Sequence, residues 1–278
     1  MEIAVGSKPS SAQRGMLDAH VAEAIAPGVV LLAVAEGFGA VRGREAPTIA
    51  AEAVRDALRR RVRPDGREAR AALIAAFSGA NARVFAQSGS DDDHVASGTS
   101  LTAALIVGDR AHIAHVGRTR AYLGRDGAVS PLTADDELDR DAWLRPRSNV
   151  PTEAVAAHLL TRTLGTQPTL DATVGTVRLM HGDALLLTTG SFNDAAAGGE
   201  VAYALRAGEA PEAIAQRALR SALSREGGGR IVVARASAAL RVGGASRAGD
   251  RLRGVIAGAV VFALLALLAS ALLHALAF

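Results

Sequence analysis

The sequence predicts an α+β fold in which two antiparallel sheets are covered by helices, a four-layer α-β-β-α sandwich, followed by a C-terminal transmembrane helix. Three observations predict it. Residues 101–132 hold four short β-prone runs separated by turn signals, the pattern of a meander. Helical stretches stand before and after that meander, so strands and helices are grouped rather than strictly alternated. Residues 254–278 contain no Asp, Glu, Lys or Arg.

Taken in order, residues 3–5 start a short strand and residues 7–14 read as a polar loop carrying Pro9. Residues 29–35 are a continuous apolar run rich in β-branched side chains, as a strand buried on both faces requires. The turn Glu36-Gly37-Phe38-Gly39 follows it. Pro47 opens a helix carried through Ala51, Val54 and Leu58, which ends in an arginine cluster before Pro64-Asp65-Gly66. Residues 68–87 form a second helix, with Leu73, Ile74, Phe77, Val84 and Phe85 near helical spacing. The run Asp91-Asp92-Asp93 reads as a solvated loop. In the meander, residues 101–107 and 112–116 pair about Gly108-Asp109, and residues 120–123 and 129–132 pair about Asp126-Gly127. Beyond it the pattern predicts a helix over 151–160, strands over 173–179 and 184–189, helices over 200–206 and 211–223, and a last strand over 231–236. No internal repeat is visible.

At 278 residues the chain is long enough, without its hydrophobic tail, for one large domain with a full core. The net charge is +3, and Lys8 is the single lysine, so the positive charge is arginine set among abundant alanine and glycine. That pattern reads as compositional bias, and no basic run is interleaved with aromatics, so no nucleic-acid partner is expected. The absence of cysteine excludes disulfides, thiolate metal sites and a cysteine nucleophile. His112 and His115 are three apart on one strand, which puts them on opposite faces and favours structural roles.

The run GVIAGAVVFALLALLASALL supplies 20 residues, about 30 Å of helix, enough to span the hydrocarbon core of a bilayer. Arg241, Arg247, Arg251 and Arg253 precede it and nothing basic follows, which places the preceding domain in the cytoplasm by the positive-inside rule. The expected organisation is a cytoplasmic domain over 1–240, a basic juxtamembrane linker over 241–253 and a transmembrane helix over 254–276. The expected location is the inner (cytoplasmic) membrane, crossed once.

Several segments carry a further signal when read together. They are Met16-Leu17-Asp18-Ala19-His20, Val34-Ala35-Glu36-Gly37-Phe38-Gly39, Gly98-Thr99-Ser100, His115-Val116-Gly117-Arg118-Thr119-Arg120 and Leu132-Thr133-Ala134-Asp135. Leu160-Thr161-Arg162-Thr163-Leu164-Gly165, Gly182-Asp183-Ala184-Leu185-Leu186-Leu187-Thr188-Thr189-Gly190 and Gly229-Arg230-Ile231-Val232-Val233 continue the series. In this order, over residues 3–236, they resemble the metal-dependent protein phosphatase family, the type 2C Ser/Thr phosphatases.

The resemblance implies a reaction run by paired Mg²⁺ or Mn²⁺ ions, which activate a water and neutralise phosphate oxygens. Such hard cations demand oxygen ligands, mostly carboxylates. At the matched positions Asp18 is retained, Glu36 is a carboxylate one methylene longer, and Gly37 keeps its carbonyl. Leu17, Arg118, Gly190 and Gly229 stand where the family has acids. Asp194 and Glu226 lie near two of the lost positions but would need backbone shifts of several ångströms to replace them. A two-metal centre is therefore not expected, and the resemblance points to a pseudophosphatase that binds a phosphorylated or regulatory protein partner of a Ser/Thr-kinase pathway. The alternative is a divergent phosphatase that still uses Mn or Mg through Asp18, Glu36 and a relocated acid. Arg14, Arg118 and Arg120 are candidates for binding phosphate. Arg120 reads equally as a structural residue, and Arg118 reads also as a drifted surface charge.

Overall fold

Residues 29–38 show how the sequence builds its layers. Leu31, Ala33 and Ala35 pack with the helices, while Leu32 and Val34 pack with the second sheet, because successive strand side chains point to opposite faces. With both faces covered, the run is apolar until Glu36. The computed structural model describes residues 2–8, 18–38, 45–62, 68–88, 98–137, 160–190, 209–223 and 229–236.

Within these residues the element order is β1 (Glu2–Lys8), β2 (Asp18–Ala26), β3 (Val29–Phe38), α1 (Ala46–Arg61), α2 (Ala69–Ser88), β4 (Gly98–Val107), β5 (Arg110–Val116), β6 (Arg120–Arg125), β7 (Ala128–Pro131), β8 (Thr173–Arg178), β9 (Ala184–Thr188), α3 (Pro211–Leu223) and β10 (Gly229–Arg235). One five-stranded sheet runs β2-β3-β4-β5-β8, and the other runs β1-β10-β9-β6-β7. The pairings β2·β3, β3·β4, β4·β5, β5·β8, β10·β9, β9·β6 and β6·β7 are antiparallel.

Three apolar layers hold the elements together. Val54, Leu58, Leu73 and Phe77 from α1 and α2 close over Leu31, Leu101 and Leu105. Leu32, Val34, Ile106, Ile113, Leu123, Leu185, Leu187 and Val232 fill the space between the sheets. On the outer face of the second sheet, Ile214, Ala215 and Ala218 of α3 cover Tyr122, Leu186, Ile231 and Val233. This is the expected α-β-β-α order of layers.

Two local differences stand out. Ser7 and Lys8 belong to β1 and not to a loop. Strand β2 has no counterpart among the expected elements: Val21 is its one fully buried residue, so its alanines and mixed polar positions carry no period-2 signal. The expected helix over 151–160 is described only at Leu160, which forms an isolated antiparallel bridge with Glu137, while the expected helix over 200–206 and the Asp91-Asp92-Asp93 run lie outside the described residues. So do the linker and the apolar run at 254–276. Among the described residues no helix is long and apolar enough to cross a membrane. By its contacts the chain divides into Ile3–Val242, which holds the sandwich, and Gly243–Phe278.

Candidate functional site

Both sheets present the matched positions at one end. Asp18 lies directly across from Glu36 in the β2·β3 ladder, so the two carboxylates leave the sheet on the same face. Gly37 pairs with Thr99 and Glu36 with Ser100 on the other side. The Thr99 hydroxyl donates to the Glu36 carbonyl at 3.1 Å, which ties the Gly-Thr-Ser segment to the acid's backbone. In the second sheet β10 starts at Gly229, two residues before Ile231, and Ile231 pairs with Thr188, two residues before Gly190. The two glycines that replace acids therefore sit at the same strand ends.

Arg118 fills the middle of this end. Its Nε–H donates to Glu36 Oε2 at 2.9 Å and one terminal N–H donates to Glu36 Oε1 at 3.0 Å, a bidentate pair. The Gly190 N–H donates to the same Oε2 at 2.9 Å. Glu36 is 2 % exposed and the Arg118 side chain 14 %. Three donors thus converge on one buried carboxylate, and the pair is neutral as a unit.

The backbone around Arg118 fits this placement. Gly117 has φ +96°, a conformation side-chain-bearing residues rarely adopt, and a Cβ there would fall 2.2 Å from Ser100 Oγ. Ser100 Oγ accepts the Arg118 N–H at 3.1 Å, and Asp136 accepts the Gly117 N–H at 2.9 Å. Asp136 is gripped in turn by Arg162, whose fork also reaches Thr173 Oγ1 and the Asp171 carbonyl. Gly190 is the complement. A Cβ at that position would stand 2.5 Å from Arg118 Nε and 2.6 Å from Glu36 Oε2.

Arg120 belongs to a separate network. Its fork binds both oxygens of Asp135 at 2.7 Å and reaches the Tyr122 hydroxyl at 3.3 Å. Donation of its N–H groups to Asp135 raises its proton affinity well above the ordinary arginine range. Buried His115 shares a hydrogen bond with Thr102 Oγ1, which also donates to the Thr119 carbonyl. Burial pushes the His115 pKa below the ordinary histidine value, against the opposing pull of Asp136 and Asp135.

Of the expected phosphate-binding residues, the two described, Arg118 and Arg120, are not open anion donors. Arg118 is held by Glu36 and Arg120 by Asp135, because a carboxylate across each short gap satisfies a guanidinium fork better than solvent does. Arg118 is neither a surface charge nor a free cation. Arg14, Leu17, Asp194 and Glu226 lie outside the described residues. The Gly190 N–H and Ser100 Oγ are members of the site that motif matching passes over, since a backbone donor and a generic hydroxyl leave no mark in a sequence. The described residues alone do not supply the carboxylates that a pair of divalent cations needs. Glu36 is occupied by an internal cation, and among the described residues no three His, Cys, Asp or Glu side chains gather as a metal site.

Comparison with known proteins agrees with this architecture. Serine/threonine protein phosphatase PstP of Mycobacterium tuberculosis is 36% identical over 124 residues, 44% of this chain and 24% of that protein. Protein phosphatase PhpP of Streptococcus pneumoniae is 30% identical over 118 residues, 41% of this chain and 48% of the relative. The chain thus spans about a quarter of the length of one and about half of the other. The crystal structure of the PstP catalytic domain in complex with two manganese ions superposes with a TM-score of 0.67 at 27% identity, covering 84% of this chain and 96% of that one. A family model, Protein phosphatase 2C, matches residues 4–142, half of the sequence. Together with the paired sheets and the ordered motifs, this match means that the chain belongs to the protein phosphatase 2C family.

Proposed function

We propose that this protein is a metal-independent, non-catalytic member of its family, held at a membrane, which serves a Ser/Thr-kinase pathway by binding a regulatory protein partner. The observation that carries the proposal is the bidentate Arg118–Glu36 pair capped by the Gly190 N–H. A divalent cation at Glu36 would have to expel a buried guanidinium. It would then meet Asp18 and the Gly37 carbonyl, with glycine at 190 and 229, whereas a hard cation needs several carboxylates. Without metal-activated water the cleft has no nucleophile of the family's kind.

The relative PstP, named as a serine/threonine protein phosphatase, supports a place in kinase signalling. The apolar run 254–276 and the arginines before it support attachment to a membrane. Recognition of a phosphoryl group by Arg118 and Arg120 draws no support from their geometry, since both forks are already engaged. We therefore favour recognition of the partner through the protein surface.

The test is a manganese titration of the full chain in detergent, followed by assay on a phosphopeptide and an aryl phosphate. No phosphate release above that of Asp18→Ala is expected at any manganese concentration. Manganese-dependent release lost in Asp18→Ala would overturn the proposal and make the protein a divergent phosphatase. Retention of the full chain in membranes after an alkaline carbonate wash checks the attachment.

A further inference from the structure

The end of the sandwich opposite Glu36 carries an unexplained concentration of arginine. It is built from the turn at Pro27–Gly28, the turn at Gly108–Asp109, the last turn of α1 and the first turn of α2. The two turns touch through the Gly108 N–H and the Gly28 carbonyl. Arg60, Arg61, Arg70 and Arg110 are exposed there and form no close ion pair among the described residues, although Asp109 also feels Arg110. Their neighbours Arg59 and Arg178 are neutralised by Glu23 and Asp109. Against the four stand Glu68 and Asp126, both exposed.

Two of the four arginines sit where the fold's own electrostatics disfavour them. Arg70 is in the first turn of α2, the positive end of the helix dipole, with no acid in that turn to offset it. Arg110 lies directly across from Arg178 in the β5·β8 ladder, a like-charge pairing that weakens a sheet. The two are close enough to act together: His112 is pushed below the ordinary histidine value first by burial and then by Arg110 and Arg70. Cations placed against local preference point to an anion outside the domain.

The course of the chain identifies that anion. Ala236 is the last described residue. Its carbonyl accepts the Gly182 N–H and its N–H donates to the Asp183 carbonyl, while the Leu179 N–H donates to the Asp109 carbonyl. The chain therefore leaves the sandwich at the arginine-rich end, beside Met180, which is 50% exposed. Residues 237–253 follow, with Arg241, Arg247, Arg251 and Arg253, and then the charge-free run. Seventeen residues connect this end to the apolar run, a reach of at most about 60 Å even fully extended.

We propose that the face carrying Arg60, Arg61, Arg70, Arg110 and Met180 rests on the anionic lipid surface of the membrane that holds the chain. This rests on the membrane attachment proposed above and adds to it a fixed orientation. Glu36 lies seven residues along β3 from Val29, about 23 Å at the usual rise of a strand, so the cleft end faces away from the bilayer. A partner protein in the cytoplasm then meets the cleft end and not the arginines.

The absence of native cysteine makes one engineered cysteine a unique label. The full chain is reconstituted in vesicles of phosphatidylcholine, alone or mixed with phosphatidylglycerol, with a fluorophore at Pro27→Cys or Ala134→Cys and a nitroxide in the headgroup region. The expected result is quenching of the Pro27→Cys label on anionic vesicles, little on neutral ones, and none at Ala134→Cys on either. High salt should reverse the quenching, and each of Arg60→Gln, Arg61→Gln, Arg70→Gln and Arg110→Gln should lower the preference for anionic lipid about fivefold. A chain that survives an alkaline wash in the vesicles, yet shows no quenching at Pro27→Cys or equal quenching on both lipids, overturns the orientation and leaves the attachment standing. A chain stripped from the vesicles by that wash overturns both.

Discussion

Gly190 leaves the space that the Arg118 side chain fills: a Cβ on Gly190 would stand 2.5 Å from Arg118 Nε and 2.7 Å from its Cγ. Glycine at one position and arginine at the other are thus sterically coupled. Gly190→Ala should cost about 1–3 kcal/mol by overpacking. In an Arg118→Ala background the same methyl meets only the end of Glu36 and should cost at least about 1 kcal/mol less. Urea melts of the four proteins check this coupling.

The guanidinium also holds the acid's charge. Arg118→Met removes the partner of a carboxylate that is 2 % exposed, and should destabilise the protein by about 3–5 kcal/mol. Glu36→Gln/Arg118→Met removes both charges and should recover most of that loss, because a neutral amide still accepts the Gly190 N–H. A double-mutant cycle from denaturant melts at neutral pH measures the difference.

The meander from Gly98 to Pro131 was legible in sequence because its turns are Gly108 and Gly127, both at positive φ, set between apolar runs. Strand β2 was not, since it is the edge strand of its sheet among the described residues and Val21 is its one buried position. At the site, the positions that gather at the sheet ends were legible by matching motifs in order. The contact between Arg118 and Glu36 was not, because 82 residues separate them and only the folded sheet ends bring them together. The same holds for Arg120, whose acid lies across the β6·β7 hairpin at Asp135.

His115 gives the folding free energy a pH dependence of definite sign. Burial holds its folded pKa below the unfolded value, so the unfolded chain binds a proton first as pH falls. Stability is therefore fully present above about pH 6.5 and declines below it, by at most about 1.4 kcal/mol per pH unit for this group, until the folded state also takes the proton. His112 is shifted in the same direction and adds to the trend. His115→Asn should flatten the slope of folding free energy between pH 6.5 and 5 relative to the parent, whatever its effect on stability at pH 7. Denaturant melts across that range provide the measurement.

If the internal cation is what keeps metal out, restoring the acids should let metal in. Arg118→Asp frees Glu36 and adds a carboxylate beside it. Gly190→Asp then has room, because the atoms nearest its Cβ belong to Arg118 and to the mobile end of Glu36. With Asp18 across the ladder, four carboxylates and the Gly37 carbonyl would face one space. The double variant should gain a manganese-dependent rise in melting temperature that the parent lacks, on the order of 2.7 kcal/mol of stabilisation at a hundredfold excess over Kd. Addition of Asp18→Ala should abolish most of it, and a chelator should reverse it. A parent protein that is itself stabilised by manganese through Asp18 would show instead that the guanidinium yields to the metal.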